Sequence, residues 1–246
     1  MPGFAGRLIL AGGSENRDPH NGQPLDVLRA LRQENLVDPL IEIITTASSE
    51  PWAYERQYQA ALPALGFDRI GFMHVETKEQ VEKNGSFYTR LEKADAVFFS
   101  GGDQAKLGRI LGDTKLVDLL KARLHNDNNF TLGGTSAGAM IMAGTMIAGE
   151  TQTGDNAPAL NTGQGFAILK DIIIDSHFAQ RNRHWRLEHA LRLYPRLSGL
   201  GLDEDTGLVI TGNQWRCIGS GKAWLYTMDE TAPRMHVMAP GETLLR

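Results

Sequence analysis

Short apolar runs alternate with amphipathic stretches along most of the chain. Arg7–Ala11 reads as a buried strand ending in the Gly12-Gly13 turn, and Leu40–Thr45, Arg69–Val75, Ala94–Phe99 and Phe130–Leu132 repeat that signature. Pro24–Glu34 predicts a helix, with Leu25, Leu28 and Leu31 on one face at i, i+3 spacing. Trp52–Leu65 predicts a second helix, Phe87–Lys93 a short third, and helical segments continue through Leu124. Strands that are apolar throughout need cover on both faces, which implies a mostly parallel sheet flanked by its crossover helices. After about Asp171 the pattern changes. Asp171–Asp175 and Gly207–Ile210 still read as strands, whereas Trp215–Met228 predicts a hairpin turning at Gly219-Ser220-Gly221, an antiparallel edge. No repeat or low-complexity tract interrupts the chain, so the expectation is an α/β fold in one domain over residues 1–246.

Composition narrows the partners. Hydrophobic residues make up 41% and charged residues 22%, and the net charge of −4 argues against general nucleic-acid binding. The first apolar run is too short for a signal peptide or a membrane span, which predicts a cytoplasmic protein. A single cysteine, Cys217, excludes an internal disulfide and reads as buried filler beside Trp215 and Ile218.

The strongest chemical signal is Gly134-Thr135-Ser136-Ala137-Gly138, which follows a strand and precedes the helical Ala139–Ala143. That is the context of a G-x-S-x-G nucleophile elbow, with the helix N-terminus and the Ala137 N–H available to an oxyanion. A serine nucleophile needs a base and the base an orienting acid. Of seven histidines, His177 directly follows the apolar Ile172-Ile173-Ile174, at the strand edge where ligands bind in parallel sheets. Acids cluster in Asp203-Glu204-Asp205, which equally describes a solvated turn. Ser100-Gly101-Gly102-Asp103-Gln104 closes another strand. Its turn is assigned the second oxyanion donor, near Gly102–Asp103, and Gln104 a substrate contact. Arg181, Arg183 and Arg186 crowd one short segment with no acid before Glu188, an arrangement suited to binding carboxylates, although scattered surface arginines would look the same. HEXXH and CxxC are absent, His184 and His189 are five apart, and neither Gly219-Ser220-Gly221-Lys222 nor Leu10-Ala11-Gly12-Gly13 is a nucleotide motif. No metal, nucleotide or other cofactor is implied.

Together, FFSGGDQ, GGTSAGA, DSHFAQRNRHWRL and GLGLDEDT resemble the serine peptidase family that contains cyanophycinase and dipeptidase E, from about Leu8 to Trp224. The resemblance implies a flavodoxin-like fold similar to class I glutamine amidotransferases, with serine in place of their cysteine, and a homodimer. It also implies a serine exopeptidase that releases β-Asp-Arg dipeptides from cyanophycin, a polyaspartate carrying arginine on each side chain, through an acyl-enzyme. Ser136 matches the nucleophile, His177 the base and Glu204 the triad acid. Gln104, Asp175, Arg181, Arg183 and Arg186 match substrate-binding positions. One position departs: many cyanophycinases have Gln where this chain has Ser176, which leaves a smaller, differently polar pocket wall and room for another β-aspartyl peptide. Two rivals remain on sequence alone. An α/β-hydrolase esterase would complete its triad with Asp203 and His236, and a binding module would keep the pocket without turnover.

Overall fold

The first five apolar runs pair as their pattern requires. In the computed structural model, which describes residues 3–152, 158–229 and 233–246, strands β1 (Phe4–Ala11), β2 (Leu40–Ile44), β3 (Arg69–Met73), β4 (Ala96–Phe99) and β5 (Thr131–Thr135) form a parallel block ordered β1-β5-β4-β2-β3. Helices α1 (Asp26–Arg29), α2 (Pro51–Ala61), α3 (Lys78–Lys83), α4 (Gly85–Lys93), α5 (Gln104–Leu111) and α6 (Lys115–Asn126) occupy the crossovers. Local chemistry sets their starts. Thr77 and Gln80 close a reciprocal capping box on α3, Asn84 accepts from the Ser86 N–H on α4, and Asp103 accepts from Ala105 and Lys106 on α5. α6 buries Leu116, Val117, Leu120 and Leu124. At roughly 1.5–3 kcal/mol per buried side chain, such a face stabilises a helix more than its propensity does.

After α7 (Ala137–Met140), β6 (Thr145–Gln152) and β7 (Pro158–Gln164) form a separate antiparallel ribbon, which the sequence pattern did not reveal. β8 (Ile172–Asp175), α8 (His184–Leu193) and β9 (Ser198–Leu202) make a parallel β-α-β unit. The chain then alternates between sheets. β10 (Thr206–Gly212) lies antiparallel beside β1 and is followed by β11 (Gln214–Gly219), while β12 (Ala223–Met228) and β13 (Pro233–Met238) join β9, and β14 (Thr243–Leu245) returns to β11. The result is an eight-stranded sheet, β14-β11-β10-β1-β5-β4-β2-β3, and a four-stranded sheet, β13-β12-β9-β8.

Two expectations are corrected. Trp215–Met228 is not a hairpin at Gly219–Gly221: β11 and β12 lie in different sheets, and the tight connection is β10–β11 through Gly212, at φ 57°. The predicted Pro24–Glu34 helix is one turn, Asp26–Arg29, because the following amides of Leu31 and Arg32 bond back three residues instead of four. Leu25, Leu28 and Leu31 are buried all the same. Their spacing serves a short turn as well as a long helix. No helix among the described residues is long and apolar enough to cross a membrane.

Candidate active site

Ser136 leaves β5 at φ 51° and ψ −113°, a conformation rare for a residue with a side chain. Its N–H donates to Ala11 O at 2.9 Å, tying the turn to the end of β1. The flanking glycines are required by close approach. A Cβ on Gly134 would sit 2.2 Å from Gly138 O, and one on Gly138 would sit 2.3 Å from Phe99 O. α7 begins at Ala137, so the hydroxyl stands at a helix N-terminus on the carboxyl edge of the main sheet.

His177 reaches this edge from the other sheet. It follows β8, and its N–H donates to Gly12 O at 2.8 Å. This corrects the expectation that the Ile172–Ile174 strand belongs to the same parallel sheet as the elbow. Ser136 Oγ and His177 Nε2 lie 3.0 Å apart, and His177 Nδ1 lies 2.6 Å from Glu204 Oε1. A carboxylate only accepts, so Nδ1 carries the proton and Nε2 is left to accept from the serine hydroxyl. Glu204 stands in the turn between β9 and β10, where the chain crosses from the small sheet to the large one. Burial pushes the His177 imidazole below its ordinary value, and the cation of Arg181 adds to this. The hydrogen bond that His177 donates to Glu204 opposes them without prevailing. The ring is therefore neutral, as a base must be. Gly13, at φ 100°, makes room for it: a Cβ there would lie 2.4 Å from Nε2.

Gly13, Arg17, Tyr54, Gly102, Ser136 and Arg181 line a cleft of about 360 Å³. Arg17 and Tyr54 were not singled out by the sequence. The acid–base pair Glu15/Arg17 just after Gly12-Gly13 was the available signal. Glu15, buried, accepts from Arg17 Nε at 2.9 Å and Tyr58 Oη at 3.0 Å, and Thr135 Oγ1 also donates to it. The Arg17 guanidinium lies over the Tyr54 and Tyr58 rings at 4.8 and 5.1 Å. It is held in one orientation beside the nucleophile.

The remaining sequence candidates separate. Ser176 is buried with its Oγ 3.5 Å from Ser136 Oγ. Asp175 has 0% exposure and is clasped by Arg186 through Nε at 2.8 Å and through Nη2, with Arg183 Nη1 at 3.2 Å. Arg186 continues to Glu150 at 2.8 Å. Only Arg181 of the three arginines lines the cleft. Gln104 donates to Ile147 O at 3.0 Å, fastening α5 to the β6–β7 ribbon. The assignment of an oxyanion donor to Asp103 is corrected: its N–H donates to Ala47 O at 2.9 Å. The N–H groups of Gly102 and Ala137 have no hydrogen-bond partner among the described residues. Asp203 accepts from Ala179 N, Lys222 N and Trp224 Nε1, and His236 is exposed on β13. The esterase triad does not assemble.

The profile of peptidase family S51 matches residues 8–218. The chain is similar to a cyanophycinase of Geminocystis herdmanii, at 36% identity over 75% of this chain and 68% of that one. It is also similar to a cyanophycinase of Synechococcus elongatus, at 33% identity over 98% of this chain and 79% of that one. Among solved structures, a peptidase from an acI-B1 Actinobacterium superposes with a TM-score of 0.71 at 20% identity, covering 100% of this chain and 99% of that one.

Proposed function

Because this chain belongs to peptidase family S51 and is a serine-type peptidase, we propose that it is an exopeptidase hydrolysing cyanophycin to β-Asp-Arg dipeptides through an acyl-enzyme on Ser136. The observation that carries this reading is the continuous contact Ser136–His177–Glu204 beside a cleft lined by two arginines. His177 Nε2 takes the serine proton as Oγ attacks the aspartyl carbonyl, and Glu204 stabilises the imidazolium that forms. The N–H groups of Gly102 and Ala137 receive the oxyanion. His177 then protonates the leaving amine, and a water activated by the same ring cleaves the ester. Arg17 and Arg181 receive substrate carboxylates, while the Asp175–Arg183–Arg186 cluster sets the position of the segment that carries His177 and Arg181.

A second reading within the family, a β-aspartyl or aspartyl dipeptidase with another side-chain preference, is favoured by Ser176. It places a small hydroxyl beside the nucleophile. The deciding experiment incubates the protein with purified cyanophycin and identifies the products by mass spectrometry, alongside β-Asp-Arg, β-Asp-Lys and α-Asp-Arg peptides. Release of β-Asp-Arg from the polymer is expected. Cleavage of free dipeptides with the polymer left intact would replace the first reading with the second.

A further inference from the structure

On the face of the large sheet that carries Ile9 and Val209 lies a hollow of about 670 Å³, a volume that holds a mid-sized ligand. The short α1 and the segment that follows it form one wall, from Asp26 to Asn35, and α1 packs over β11. Alternation along the strands places Arg7 on the same face as Ile9, and the register Ile9↔Val209↔Arg216 puts Arg216 on that face too. The two arginines stand on strands two apart, about 10 Å across the sheet at the usual strand spacing. Arg29 and Arg32 approach from the covering segment, Arg32 with Nε and Nη2 donating at 3.3 Å to Gly66 O and Leu36 O respectively, and Asp26 and Glu34 are the acids of the wall.

The charges of this hollow are not balanced from within. Four arginines face two acids, and none of the six closes an ion pair with another residue among the described residues. Arg7 Nε and Nη2 are buried without a hydrogen-bond partner. Elsewhere in the molecule, buried guanidinium groups find acids or carbonyls, as Arg186 does with Asp175 and Arg123 with Leu91 O and Ala94 O. Burial pushes the Arg7 guanidinium below its ordinary value, and Arg216 adds to this more than Glu34 opposes it. A buried donor fork left unpaired is costly, and the neighbouring cations of the hollow add mutual repulsion, which a multiply charged anion bound among them offsets.

From the geometry we infer that the hollow formed by Arg7, Arg29, Arg32 and Arg216 is a binding site for a multiply charged oxyanion, separate from the catalytic cleft. The shared chemistry is two or more acidic oxygens set to bridge Arg7 and Arg216, supplied by a phosphoryl compound or by a polycarboxylate. This site is independent of the peptidase assignment.

The test is calorimetric titration of the full chain with inorganic pyrophosphate and, in parallel, with citrate, each repeated by thermal shift. Saturable binding of at least one anion is expected, and the tighter of the two identifies the ligand class. Arg7→Met and Arg216→Gln should each weaken binding at least tenfold, whereas Arg181→Ala in the cleft should leave it unchanged. Arg216 is exposed, so its replacement keeps the test open if the Arg7 variant folds poorly. The site is overturned if the native protein shows no saturable heat and no thermal shift with either anion. It is equally overturned if both hollow variants bind as the native protein does, or if only Arg181→Ala loses binding.

Discussion

Two clusters of short polar contacts begin side by side in the chain, at Asp175 and His177, and they serve opposite ends. Asp175 points inward, has no exposure, and is held by Arg186 and Arg183. His177 points into the cleft, and its partner Glu204 is about a third exposed. In the first cluster both Asp175 oxygens accept from Arg186 and the charges are paired, so the cluster holds structure. In the second the hydroxyl of Ser136 faces a neutral ring nitrogen, so a proton has somewhere to go. Contact length does not separate chemistry from scaffolding here. Exposure and unfinished proton transfer do.

The sharpest way to break this division is Ser136→Ala. It should lower hydrolysis by about 10⁴–10⁶-fold with the melting temperature unchanged, and a variant retaining a tenth of the activity would end the assignment. Glu204→Gln should cost about 10²–10⁴ in kcat. Asp203→Asn, in contrast, should reduce stability before turnover, since Asp203 holds three donors from two segments, Ala179 after β8 and Lys222 and Trp224 at the start of β12. Steady-state kinetics with parallel thermal melts compare the two.

Arg186→Met tests the locked cluster. It leaves a buried carboxylate short of its main partner and should destabilise the fold by about 3–5 kcal/mol, on the order of 10 °C in a chain of this length. An unchanged melting curve would show that the cluster is not structural. Arg181→Ala should act on the substrate instead, lowering kcat/KM for aspartyl peptides by roughly ten- to a hundredfold with little change in stability. Equal kinetics in the variant and the native protein would remove Arg181 from recognition.

The smallest effect concerns pH. Because burial lowers the affinity of His177 for its proton, the base stays neutral below pH 6.5, and kcat/KM should fall only when acid passes through that depressed value. Arg181→Ala removes one of the cations that lower it, so the acid limb should move to higher pH. A limb that stays in place would mean that the two groups do not interact.

Much of the fold was legible in the chain. Largely apolar runs, two of them closed by glycine pairs at Gly12-Gly13 and Gly101-Gly102, specified buried parallel strands, because only a sheet covered on both faces shelters them. Gly134–Gly138 pointed to the elbow, since close backbone approach leaves no other residue type there. The cluster of three arginines, Arg181, Arg183 and Arg186, was legible as a pattern but not as a function. Arg181 is exposed in the turn before α8, whereas Arg186 lies on the buried face of α8, and which face is buried depends on how that helix packs. The β6–β7 ribbon lacks a clear alternation, and β11 and β12 look like one hairpin because each strand is locally suited to either sheet.

By itself, then, the sequence determined the strand and turn chemistry: where a serine could be strained, which histidine followed a buried strand, and which turn was rich in acids. Spacing left Asp203, Glu204 and Asp205 open and the resemblance favoured Glu204; the tertiary structure puts Glu204 on His177 and shows that Gly13 yields space to the ring. It also decided that Arg17 enters the cleft and that Arg7 is left unpaired. The physical reason is range. Propensity, capping and periodicity act over a few residues, whereas the nucleophile and base come from different sheets, and their meeting depends on how those sheets pack at the β9–β10 crossing.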